Sequence, residues 1–92
     1  MDHEHLRKAI NQHILAKFPG LVEKIWTDHE NMDLDFIDGC GHLSGGQQLL
    51  CKVAYSLWSK DGLINLNEVV GKLDGENLSN LCAAIDYLQS SK

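Results

Sequence analysis

The sequence predicts a small, mainly α-helical single domain of four to five helices, with short extended pieces near residues 32–37 and 63–66. Three observations carry this expectation. Apolar residues recur at helical spacing in several separate stretches. Side chains suited to helix capping stand ahead of most of those stretches. The one proline, Pro19, falls at the junction between the first two. A chain of 92 residues holds one core and no more, and 43% apolar residues can fill it.

Taken in order, Asp2 is placed to cap a first helix. Its stripe is Leu6, Ile10, Ile14 and Phe18, one apolar residue every four, with Ala9 beside them. Pro19 suits the first turn of a second helix, "PGLVEKIW", whose apolar residues are Leu21, Val22, Ile25 and Trp26. In residues 28–38, "DHENMDLDFID", Met32, Leu34 and Phe36 alternate with polar neighbours, so the segment reads as irregular or as a short edge strand. Gly39 and Gly41 close it as a loop. Ser44 and Gln47 have the S-x-x-Q spacing of a capping box. They open a helix with Leu49, Leu50, Val53, Ala54, Leu57 and Trp58 on one face, stopped by Asp61-Gly62. Asn65 and Glu68 repeat the box spacing ahead of Val69, Val70 and Leu73. Asp74 caps a last helix striped by Leu78, Leu81, Cys82, Ile85 and Leu88.

Composition excludes several classes of function. No apolar run approaches the roughly 20 residues of a membrane helix, and the polar start "MDHEHLRK" is unlike a signal peptide. A soluble, cytoplasmic protein with no membrane contact is expected. Cys40, Cys51 and Cys82 are odd in number and widely spaced, which fits reduced thiols better than a disulfide framework. The formal net charge is −5 and Arg7 is the single arginine. Contact with nucleic-acid phosphates takes clustered bases, so direct nucleic-acid binding is not expected. A protein partner with a basic surface, or a second copy of the chain, matches the charge better.

The acids are uneven. Asp28, Glu30, Asp33, Asp35 and Asp38 are five of the thirteen, and no lysine or arginine lies among them. With Leu34 and Phe36 they form the candidate binding face. The run Asp33, Asp35, Asp38-Gly39 misses the register of a calcium loop by one residue, and Ser44 stands where that loop needs glutamate. His3 and His5, and Cys40 with His42, are the metal candidates. Neither pair has the C-x₂-C or H-x₃-H spacing of a zinc site, so no metal or cofactor is expected. His13 reads as a partly buried structural histidine, and Trp26 and Trp58 as core or interface anchors.

One stretch raises a different chemistry. "LSGGQQLLCKVAYSL" resembles the signature motif and helix of ABC-type ATPases. "LINLNE", residues 63–68, resembles that family's Walker B strand, and "KLDGENL", residues 72–78, its D-loop. The resemblance covers residues 43–85. It implies that Ser44, Gly45 and Gly46, with Gln47 completing the motif, would present serine and glycine amides to the γ-phosphate of a nucleotide held by another subunit, and that Glu68 takes the catalytic glutamate's position. The departures bear on activity. Asn67 replaces the aspartate that supports Mg²⁺, Val69 replaces a proline, and no G-x-x-x-x-G-K-[ST] phosphate cradle occurs. The resemblance therefore implies a degenerate fragment that completes or mimics a partner's nucleotide site. The leading expectation is a non-catalytic, acidic protein-interaction module with an accessory or regulatory role. The nucleotide-site fragment and a His/Cys metal-binding module are the alternatives.

Overall fold

A computed structural model describes residues 3–28, 30–39, 43, 45–59 and 64–90. Among these, six α-helices form: α1 (His3–Ala9), α2 (Pro19–Ile25), α3 (Leu34–Asp38), α4 (Gly45–Ser59), α5 (Leu66–Lys72) and α6 (Gly75–Ser90). The described residues contain no strand, only an isolated antiparallel bridge between Trp26 and Met32. The mainly helical class is the one the sequence predicts.

The first stripe is handled in an unexpected way. α1 gives way after Ala9 to a π-helical turn, Ile10–Ile14, which ends in a 2.9 Å hydrogen bond from the Leu15 amide to the Ile10 carbonyl. An α-helix repeats every 3.6 residues, so a strict four-residue spacing drifts by about 40° per step. The wider i→i+5 turn drifts the other way. It keeps Ile10, Ile14 and Leu15 fully buried, together with Leu6 and Ala9 from α1. The π turn packs against α4 and α6, and α1 touches both as well.

α4 supplies the other half of the core. Leu49, Leu50, Cys51, Val53 and Ala54 are buried along it. α5 leans on α4 through Val69, and α3 reaches it through Ile37. α6 closes the core with Leu81, Ala84 and Leu88.

Three helix starts fall where the sequence places them, with Asn65 capping on the Asn67 amide rather than on the Glu68 amide of a capping box. Pro19 stands at the start of α2. The Asn65 side chain accepts from the Asn67 amide at 2.8 Å, and the Asp74 carboxylate from the Asn77 amide at 2.8 Å. Two extended segments differ from expectation. Residues 34–38 are helix, because the Asp33 carboxylate accepts from the Phe36 amide at 3.0 Å and nucleates α3. Side-chain burial follows the helix: Ile37 is buried and Leu34 is exposed. Of residues 63–66, Asn65 is extended but Leu66 already opens α5. Leu63, the Ser44 cap and the Asp61-Gly62 stop lie outside the described residues.

Among the described residues, one buried polar side-chain atom has no partner. Asn77, in the first turn of α6, is 5% exposed, and its Oδ1 accepts no hydrogen bond. An unsatisfied buried acceptor costs about 1–3 kcal/mol. Asn77→Leu, which keeps the volume and removes the acceptor, is expected to raise unfolding stability by about 1 kcal/mol in urea titration. Lower stability in that variant would mean that Asn77 serves the fold through a bond that forms in solution.

Candidate functional site

The most elaborate side-chain assembly lies where α1, α4 and the turn after α2 meet. That turn is built by Asp28. Its carboxylate accepts from the Glu30 amide at 2.8 Å, from the Asn31 amide at 2.9 Å, and from the Asn31 side-chain amide at 3.1 and 3.0 Å. The Thr27 amide and hydroxyl both donate to the Asn31 carbonyl, at 2.9 and 3.1 Å. The result is a tight acidic knuckle joining Trp26 to Met32.

Aromatic rings pack under this knuckle. Trp26 and Trp58 meet edge to face, with ring centroids 4.8 Å apart. Arg7 lies over the Trp26 ring, its guanidinium carbon 4.1 Å from the centroid, and donates to the Asp28 carbonyl at 3.2 Å. The Trp26 indole N–H donates to the Asn11 side chain at 2.8 Å. The Trp58 indole N–H donates to the Glu30 carbonyl at 3.2 Å, and His3 stacks on Trp58 at 4.7 Å. Both indole donors are thus satisfied, as half-buried tryptophans require. Between α1 and α4 an open cleft of about 130 Å³ remains, lined by His3, Glu4, Arg7, Glu30 and Trp58.

The seven residues expected to form the binding face divide into two groups. Asp28 and Asp33 are occupied as caps, and Phe36 is half-buried against the core rather than exposed. Glu30, Asp35 and Asp38 are exposed and form no ion pair among the described residues. Leu34, 47% exposed, accompanies them. No local pattern in the sequence marks the cleft. Arg7, Trp26, Glu30 and Trp58 come together only through tertiary packing, and the nearest signal was a pair of tryptophans on helical stripes.

The metal candidates do not converge. His3 stacks on Trp58 of α4, whereas His5 faces Tyr87 of α6 at a ring distance of 6.1 Å. Cys40 and His42 lie outside the described residues, and no group of three potential ligands occurs among those described. His13 also packs on Tyr87, at 5.3 Å. Cys51 is buried, Cys82 is exposed, and neither is in a disulfide.

Of the signature-like residues, Gly45, Gly46 and Gln47 form the first turn of α4, and Ser44 lies outside the described residues. Gly46 sits against the last turn of α5, where a β-carbon would be 3.6 Å from the Lys72 carbonyl oxygen. Glu68 is exposed in the first turn of α5, within a helix rather than at a strand end.

No family model matches the chain, and no curated protein or solved structure is significantly similar to it. No helix among the described residues is long and apolar enough to cross a membrane.

The knuckle has a pH signature. The Asn31 side-chain amide, and next the Glu30 amide, hold the Asp28 carboxyl below its ordinary value, with Arg7 adding a smaller effect. A depressed folded pKa contributes stability above the unfolded value of about 3.9, and that contribution is lost as pH falls through the folded value. Asp28→Asn keeps one acceptor oxygen and removes the charge. The stability difference between the parent and this variant is expected to be constant above about pH 5 and to shrink as pH falls below 4. Urea unfolding at a series of pH values checks this. A difference independent of pH would show that the charge plays no part in the turn.

Proposed function

We propose that the chain is a non-catalytic protein-interaction module that docks a basic partner through the face formed by the acidic knuckle and α3. The observation that carries this reading is the set of uncompensated carboxylates. Glu30, Asp35 and Asp38 lie exposed within nine residues of chain, without an ion pair among the described residues, beside an exposed Leu34. Like charges left together repel, and an opposing cationic surface relieves that repulsion. The apolar side chain adds area for contact. The capped turn and α3 hold the backbone of this face in place before a partner arrives, which limits the ordering cost of binding. Exposed charges of this kind act mainly on the rate of encounter and are screened over about 8 Å at physiological salt.

Asp35 and Asp38 provide the test, because neither carboxylate caps a helix or turn. A protein captured from the native host is to be purified and its association measured at several ionic strengths. Asp35→Asn/Asp38→Asn is expected to slow association several-fold at low salt and to flatten the salt dependence, with the isolated chain no less stable. Association at the parental rate would reduce the segment to a solvated loop.

The same reading gives no catalytic step to residues 43–85. Purified chain supplied with Mg²⁺ and ATP is expected to release no phosphate above background. Turnover that disappears on Glu68→Gln would overturn the non-catalytic reading.

A further inference from the structure

We propose that the first turn of α1, residues 3–5, is a strap that covers the ring of Trp58 and opens when the basic partner docks. The inference rests on the docking reading above and assigns a regulation to that face. The chain's own basic side chains already occupy the rings beside the knuckle. Arg7 lies over Trp26 at 4.1 Å, and His3 stacks on Trp58 at 4.7 Å with the rings tilted by 31°. Trp58 donates its indole N–H to the Glu30 carbonyl, so the ring that His3 covers belongs to the acidic face. Glu30 is exposed and has no ion pair among the described residues. An aromatic ring beside a carboxylate attracts a cationic side chain through both the ring quadrupole and the charge. His3 therefore stands where a basic side chain of the partner would stack.

The two occupants are held differently. Arg7 is tied to the knuckle twice, through the Trp26 ring and the Asp28 carbonyl. It also follows Leu6, the first buried residue of α1, and Ala9, Ile10 and Ile14 fix the chain from there on. Ahead of Leu6 no described residue is buried: His3 and Glu4 are exposed, and His5 is half-buried. Ring contacts latch this turn, His3 on Trp58 and His5 on Tyr87 at 6.1 Å, and Glu4 and His5 each make a further interaction. A helix end with no core anchor opens at the lowest cost of any part of a fold. Residues 3–5 can leave Trp58 while Leu6 and Arg7 stay in place, and the partner's attraction to the uncovered ring then offsets the lost latch.

The strap is tested first on the full chain alone. Hydroxyl-radical footprinting read by mass spectrometry reports the exposure of each tryptophan. In His3→Ala, oxidation of Trp58 is expected to rise while that of Trp26 stays at the parental level. A hexalysine peptide then stands in for the basic surface, its affinity read by NMR titration of the ¹⁵N-labelled chain. His3→Ala is expected to bind it about two- to fivefold more tightly than the parent, because one ring becomes available to a cation. His3→Phe, which loses the imidazole but keeps a ring on Trp58, is expected to bind it no more tightly than the parent. Three results overturn the proposal: unchanged Trp58 oxidation in His3→Ala, parental or weaker affinity in that variant, or equal affinities in His3→Ala and His3→Phe, which would make charge rather than cover the cause. The two readings fail separately. If the His3 variants fail these tests but Asp35→Asn/Asp38→Asn still slows association with the partner, the docking face stands and the strap falls.

Discussion

The fold depends on burying one short segment from two sides. Ile10 and Ile14 of the π turn, with Leu15, are fully buried where α4 and α6 converge on it. Three large aliphatic side chains without exposure contribute about 1.5–3 kcal/mol each relative to solvent. That is a large share of the stability of a domain this small. α1 is held in register by the same turn, and α1 carries His3 and Arg7 to their tryptophans. A slip of the turn by one residue would move those two side chains off Trp58 and Trp26 while exposing an isoleucine. Core packing and cleft geometry are therefore one constraint.

The helices were legible where a cap and a stripe agreed. Asp74 before the last stripe, Asn65 before Val69, and Pro19 before Leu21 each marked a start that the structure keeps. Helix α3 was not legible, because Met32, Leu34 and Phe36 alternate as in a strand while the deciding interaction is one cap, from Asp33 to the Phe36 amide. The π turn was hidden for a related reason. A four-residue stripe looks like an α-helix unless its drift is followed over several turns. The acidic face was visible as composition, but which acids are free was not. Asp28 and Asp33 are spent on backbone amides, a local geometry that charge counting does not register. The cleft was out of reach of any local pattern, since residues 7, 26, 30 and 58 become neighbours only when the helices pack.

The aromatic assembly also explains why so charged a turn can sit on so small a domain. Arg7 is the chain's single arginine, and it is placed beneath the knuckle, held by the Trp26 ring and the Asp28 carbonyl. A guanidinium suits this position because it stacks on a ring and donates in plane at once, which an ammonium does not. It offsets charge on the inner side of the turn and leaves the outer carboxylates uncompensated. The polarity of the segment is thus set by packing as well as by sequence.

The burial of Cys51 in α4, against the exposure of Cys82 in α6, gives the chain an internal clock. A thiol reagent meets Cys82 in the native state, but reaches Cys51 only when the core opens. The rate at which Cys51 is modified therefore reports the frequency of opening around α4. When openings close faster than the reagent reacts, that rate measures the free energy of opening; when the reagent is faster, it measures the opening rate itself. A bound partner that tightens α1 against α4 would register as slower labelling at Cys51, a residue it never touches.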